Sequence, residues 1–176
     1  MAEGSSAAAL TDIPALVLLD LRGDAGDPAF VAAIAGVLGS APPTMPNTVA
    51  AAGAASLLWL GPDQWLVVAP ASDIAPRLET ALGNLHHSLL DISAGRLVLE
   101  LAGPEARTVL AKGMSLDLHV SVFKTGSCAQ SALARVPVVL QQLDETPRYR
   151  LYVRRSFAPY IVAWLAAAMR EFTDPA

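Results

Sequence analysis

Charge is the first thing this sequence has little of. Only 16% of its 176 residues are Asp, Glu, Lys or Arg, against about 25% in typical domains. Acidic residues outnumber basic ones by 16 to 12, for a formal net charge of −4. That balance excludes a nucleic-acid binder, which needs a basic surface to neutralise phosphates. Cys128 is the single cysteine, so neither an intrachain disulfide framework nor a thiolate zinc site can be built. With no histidine at a suggestive spacing, Cys128 reads as an inert, partly buried thiol. The longest apolar stretches, residues 49–60 and 159–169, fall short of the roughly 20 residues that cross a bilayer. Residues 1–12 carry Glu3, no basic stretch and no continuous apolar segment, so neither a secretory signal nor membrane attachment is expected and a cytoplasmic location is. The phosphate loops G-x-G-x-x-G and G-x-x-x-x-G-K-[ST] and the serine elbow G-x-S-x-G are missing too.

What is abundant is apolar: 53% of the chain, with alanine, leucine and valine leading. Codon bias towards alanine explains this without function. The sharper reading is a chain with surface that is never meant to meet water, hence an obligate subunit. Residues 15–21 form an apolar run that ends at Asp20 and Arg22 and read as a buried strand. Asp27-Pro28 starts a helix that Gly39 ends. Pro42, Pro43 and Pro46 make residues 40–48 an irregular connection. Residues 55–60 and 65–69 flank Gly61-Pro62-Asp63-Gln64 as a hairpin, followed by a helix over 74–82 and a strand over 88–92. Residues 96–101 alternate as a strand, and Gly103-Pro104-Glu105 opens a helix closed by Lys112-Gly113. Strands are predicted at 129–136, 138–143 and 148–153. A last helix, capped by Ser156, carries Phe157, Ile161, Trp164, Leu165, Ala168 and Phe172 on one stripe.

This order predicts an α+β chain of two fused split β-α-β (ferredoxin-like) subdomains with antiparallel sheets. They span residues 1–93, with 1–12 a flexible N-terminus, and residues 94–176, together forming one compact unit.

Residues suited to catalysis are few. His86 and His87 are adjacent, so their side chains diverge, and they read as a solvated pair ahead of a strand. His119 reads as a structural or interface histidine, Asp144-Glu145 as solvated turn residues, and Asp91 as a turn acceptor near Ser93. Arg148, Arg150, Arg154 and Arg155 form a basic cluster. It is either a solvated, charge-protected sheet surface or a contact for an acidic partner or anionic ligand. Trp59 and Trp65 flank the Gly61-Pro62 turn, as a cross-strand pair or, if exposed, as interface anchors. These six are the candidate partner contacts; no catalytic, cofactor or metal residue is assigned.

Several segments together resemble the gamma subunit family of heterotetrameric sarcosine oxidase. They are Leu60-Gly61-Pro62-Asp63-Gln64-Trp65-Leu66, Asp91-Ile92-Ser93-Ala94-Gly95-Arg96, Leu101-Ala102-Gly103-Pro104-Glu105-Ala106-Arg107, Leu110-Ala111-Lys112-Gly113, Leu116-Asp117-Leu118-His119, Arg154-Arg155-Ser156-Phe157-Ala158 and Trp164-Leu165. They keep the family's order over about two thirds of the chain. The resemblance implies a fold similar to the folate-binding domain of the aminomethyltransferase (glycine-cleavage T protein) group. It implies a place beside alpha, beta and delta subunits in a complex that oxidatively demethylates sarcosine to glycine. The other products are hydrogen peroxide and either formaldehyde or 5,10-methylenetetrahydrofolate. FAD, FMN and NAD would sit on alpha and beta and zinc on delta, with no cofactor and no catalysis on this chain. Folate-dependent aminomethyltransferases carry a catalytic aspartate in a glycine-rich hairpin. The corresponding residues 136–145 hold no glycine, and that role is not transferred to Asp144, the nearest acid. The alternatives are a folate-binding one-carbon transfer protein and a stand-alone interaction domain.

Overall fold

A computed structural model describes residues 7–70 and 73–173. The chain divides into two compact units, one running from Ala15 to Ala94 and the other made of the described residues before Ala15 together with those from Gly95 onward.

In the first unit, β2 (Val17–Gly23) leads into α1 (Pro28–Leu38), then β3 (Val49–Ala52), β4 (Ala55–Gly61), β5 (Gln64–Ala69), α2 (Ile74–Leu82) and β6 (His87–Asp91). The sheet order is β3-β4-β5-β2-β6, all neighbours antiparallel. Without its edge strand β3, that is the ferredoxin-like order. Helix α1 begins as its sequence predicts. Asp27 Oδ1 accepts from Ala29 N at 2.8 Å, Pro28 occupies the first turn, and Gly39 ends the helix at φ 84°. Phe30, Ile34 and Leu38 from α1, and Ile74, Leu78 and Leu82 from α2, pack on Leu19, Leu21, Leu57, Trp65 and Val67. Leu18, Leu58, Leu66 and Val68 alternate onto the sheet's other surface and are also buried.

The second unit contains β1 (Ala9–Asp12), β7 (Arg96–Ala102), α3 (Ala106–Ala111), β8 (Cys128–Leu133), β9 (Val136–Asp144), β10 (Arg148–Arg154) and α4 (Ala158–Thr173). Its sheet order is β1-β7-β10-β9-β8, again antiparallel. Leu97, Leu99, Leu101, Tyr149, Leu151 and Val153 meet Val109 and Leu110 of α3 and Ile161 and Leu165 of α4 in one core. The loop after α3 is anchored in that core by Met114, Leu118 and Phe123.

The two sheets share one pattern. Strands β2, β3, β4, β5 and β6 of the first correspond to β7, β8, β9, β10 and β1 of the second. The fifth strand of the second unit therefore comes from the front of the chain. This corrects, for its described part, the expectation that residues 1–12 are a flexible lead of the first subdomain: Ala9–Asp12 pairs with Leu99–Ala102 of β7, while residues 1–6 lie outside the described residues. Four residues ending in Thr11-Asp12 carry too little alternation to announce a strand. β3 was likewise expected to be part of a longer apolar stretch. Gly53, at φ 61°, turns the chain so that Ala52 opposes Ala55. The strand expected over 129–136 ends at Leu133, because Ala134, at φ 55°, and Arg135 form the turn. Pro137 lies inside β9, one residue past the last pairing with β10, so its missing N–H removes no bond there. Pro104 precedes α3 rather than opening it, and Ser156 lies within a 3-10 turn, Arg155–Phe157, that leads into α4.

Candidate functional site

Period-two alternation splits β10 into two surfaces. Tyr149, Leu151 and Val153 enter the helix-covered core, while Arg148, Arg150, Tyr152 and Arg154 point the other way. The register sets Glu100 of β7 opposite Arg150. Glu100 binds both neighbours, Oε1 to Arg148 Nη1 at 3.4 Å and Oε2 to Arg150 Nη2 at 3.0 Å. Arg148 Nε reaches Asp144 Oδ2 at 2.7 Å. Two cations and two carboxylates thus neutralise each other. The run of arginines in the sequence conceals this, because Glu100 lies 50 positions from Arg150; only the strand register reveals it. Beside them the Tyr152 hydroxyl donates to Gln141 Oε1 at 2.6 Å. Both side chains are buried, and burial pushes the Tyr152 hydroxyl well above the ordinary tyrosine range. The Tyr149 hydroxyl accepts from Arg107 Nε at 3.0 Å.

The last arginines differ. Arg154 is exposed, and Arg155 donates from Nη2 to the Arg96 carbonyl at 2.8 Å. The structure therefore separates the predicted basic cluster into a matched pair and an outer pair.

The tryptophans separate as well. Trp59 and Trp65 are directly opposed in register, but Trp65 is 0% exposed. Its indole N–H donates to Pro43 O at 2.8 Å, and its ring centroid is 5.9 Å from that of Phe30. Trp65 is therefore core and offers no partner contact, a correction to its candidacy. It shares the helix-covered surface with Val67 and Ala69. Trp59 is half-buried.

An open cleft of about 540 Å³ lies in the first unit, with Arg22, Asp63, His86 and His87 on its walls. Its polar groups are engaged locally. Arg22 Nη1 and Asp63 Oδ2 are 4.0 Å apart, and both side chains are more than half exposed. His87 places Nδ1 2.8 Å from Leu85 O and Nε2 3.2 Å from Glu79 Oε2. The carbonyl acceptor and, less strongly, the carboxylate raise the His87 pKa against the opposing effect of burial. Asp91 accepts from Ser93 Oγ at 2.6 Å and Ser93 N at 2.8 Å, which lowers its pKa; Ser93 Oγ also accepts from Leu18 N. In the loop after α3, His119 Nδ1 and Ser121 Oγ are 2.7 Å apart. Asp144 accepts from Thr146 Oγ1 at 2.7 Å as well as from Arg148. Residues 136–145 are β9 and the start of its turn, with Gln141 and Gln142 buried. They hold no glycine. Among the described residues no group of three or more His, Cys, Asp or Glu is placed to hold a metal. No helix among them is long and apolar enough to cross a membrane.

The class of fold this defines is that of the aminomethyltransferases. The crystal structure of the glycine cleavage system aminomethyltransferase T from Bartonella henselae matches with a TM-score of 0.70 at 17% identity, over 92% of this chain and 46% of that one. The family is narrower. The model of the sarcosine oxidase, gamma subunit family matches residues 22–171. Sarcosine oxidase subunit gamma of Arthrobacter sp is 40% identical, over 99% of this chain and 87% of the relative. That of Corynebacterium sp. (strain P-1) is 39% identical with the same coverage. A chain of the heterotetrameric sarcosine oxidase from Corynebacterium sp. U-96, in complex with pyrrole 2-carboxylate, matches with a TM-score of 0.91 at 35% identity, over 99% of this chain and 89% of that one. The chain belongs to the sarcosine oxidase gamma subunit family.

Proposed function

We propose that the chain works as the gamma subunit of a heterotetrameric sarcosine oxidase, supporting assembly and stability rather than chemistry. The observation that carries this is the end-to-end likeness to a chain of such a complex, at a TM-score of 0.91. The reaction served is oxidative demethylation of sarcosine to glycine in the cytoplasm. Molecular oxygen is reduced to hydrogen peroxide, and the methyl carbon leaves as formaldehyde or as 5,10-methylenetetrahydrofolate. Its partners are the alpha, beta and delta subunits, which carry FAD, FMN, NAD and zinc; this chain carries no cofactor.

A role without chemistry is supported by how the polar side chains are used. Glu100 and Asp144 hold arginines, Asp91 and Ser93 hold a turn, and His87 links a strand to a helix. Binding that favours the assembled form stabilises the larger subunits by mass action. Trp59, Arg154 and Arg155 are the stronger contact candidates, since Arg148 and Arg150 are already neutralised.

Two measurements on the purified chain test the reading. Sarcosine should yield no peroxide, and titration calorimetry with tetrahydrofolate should give no heat in the micromolar range. Peroxide production would contradict the non-catalytic role. Micromolar tetrahydrofolate binding would favour the one-carbon transfer alternative.

A further inference from the structure

Two of the large apolar side chains that stand exposed among the described residues lie close together in the loop after α3. Val120 is 55% exposed and Val122 60%. Single exposed apolar residues are ordinary. This pair differs because its loop is held in one shape. Leu118 and Phe123, on either side, are buried in the second core, and the Phe123 and Tyr149 rings stack with centroids 6.4 Å apart. Between these anchors the backbone closes a turn: His119 O accepts from Val122 N and from Phe123 N, both at 2.9 Å. Asp117 Oδ1 accepts from His119 N at 2.9 Å.

His119 completes the turn and fixes its own tautomer. Its Nδ1 accepts from Ser121 N at 3.2 Å and lies 2.7 Å from Ser121 Oγ. With Nδ1 as the acceptor, the neutral ring carries its proton on Nε2. That N–H has no partner among the described residues, and the side chain is exposed. The turn from His119 to Val122 thus offers two branched apolar side chains and one hydrogen-bond donor, in a shape settled before any partner arrives. Such pre-organisation lowers the ordering cost of association. The loop's own folding has no need of either valine in water, because Leu118 and Phe123 already anchor it.

We propose that the His119–Val122 turn is a docking knob that enters an apolar pocket of another subunit, where a carbonyl or carboxylate oxygen accepts from His119 Nε2. The donor selects this occupant. Burying an N–H without an acceptor is costly, so a wholly apolar pocket does not suffice. Two copies of this chain meeting turn to turn about a two-fold axis would set N–H against N–H. A different chain can bring both the pocket and the acceptor. The inference rests on the reading of the chain as a complex subunit and names a surface for it.

The test is co-expression of the chain with the other three subunits, with assembly read by size exclusion at about 50 mM and about 500 mM salt. The double variant Val120→Thr, Val122→Thr keeps the shape of both side chains and puts a hydroxyl in place of one methyl of each. It should assemble about tenfold more weakly than the parent at both salts, because salt does not screen the cost of burying unpaired hydroxyls. As an isolated chain it should melt with the parent, since both positions are exposed. His119→Gln and His119→Leu both lose the Nδ1 acceptor, but only glutamine keeps a donor that reaches as far as Nε2. His119→Leu should therefore assemble severalfold more weakly than His119→Gln. A double variant that assembles like the parent would overturn the knob, and equal assembly of the two His119 variants would overturn the donor's part in it. If the double variant melts lower, Val122→Thr alone decides: weaker assembly supports the knob and unchanged assembly overturns it. An isolated parent chain that dimerises through this turn, with a double variant that stays monomeric, would give the turn to a second copy and overturn the proposal. A parent chain that stays free of its partners would overturn the subunit reading itself, whereas a parent that assembles and variants that match it would overturn this surface alone.

Discussion

Gly113 has no side chain because Trp164 stands where one would go. A Cβ built there would lie 2.5 Å from Trp164 Cζ2 and 3.1 Å from Ala134 N. The Gly113 carbonyl also accepts from Ala134 N at 2.8 Å. Gly113→Ala should therefore destabilise the chain by about 1–3 kcal/mol through overpacking, read as a lower urea midpoint. An unchanged midpoint would mean that Trp164 moves aside freely. His87 makes the second prediction at this scale. A neutral imidazole carries one N–H, yet both ring nitrogens face oxygen acceptors, Leu85 O and Glu79 Oε2; the imidazolium satisfies both. Its pKa is raised on folding. The stability it contributes is thus fully present below the unfolded pKa of about 6.5 and is lost as pH rises through the folded value. The urea midpoint should fall between pH 6 and pH 8, and His87→Gln should flatten that fall. An equal slope in the variant would remove His87 as the cause.

Strand β1 carries the prediction at the scale of the element. Leu10 opposes Leu101, and Ala8 is 1% exposed within the second core. Removing residues 1–12 should cost on the order of 3 kcal/mol and expose the β7 edge, read as faster amide exchange at residues 96–102. A truncated chain with full protection there would make β1 dispensable. The same strand shows where the sequence stops being legible. The α1 boundaries were readable because Asp27, Pro28 and Gly39 each have a local reason to stand there. So were β4, β5 and α2, bounded by Gly61-Pro62 and Gly83. β1 was not, since its partner lies about ninety residues away and nothing local marks a four-residue edge strand. The β8–β9 turn was misplaced because proline is the stronger local signal, whereas Ala134 turns the chain in a conformation its own type does not favour. Of the candidate contacts, the alternation of Arg148, Arg150 and Arg154 was legible. Their charge balance was not, because Glu100 reaches them only through the register of β7 against β10.

At the scale of the molecule, the polar side chains hold turns, strands and one another, and the chain matches a subunit of a larger enzyme along its length. The central claim is that it acts by docking on other subunits. Co-expression with the alpha, beta and delta subunits, followed by size exclusion with subunit masses read in each fraction, tests that most directly. The account predicts that the chain elutes within one complex at one copy per alpha subunit. A chain that elutes as a free monomer, while the other three subunits form a full-size, stable enzyme without it, would contradict the account.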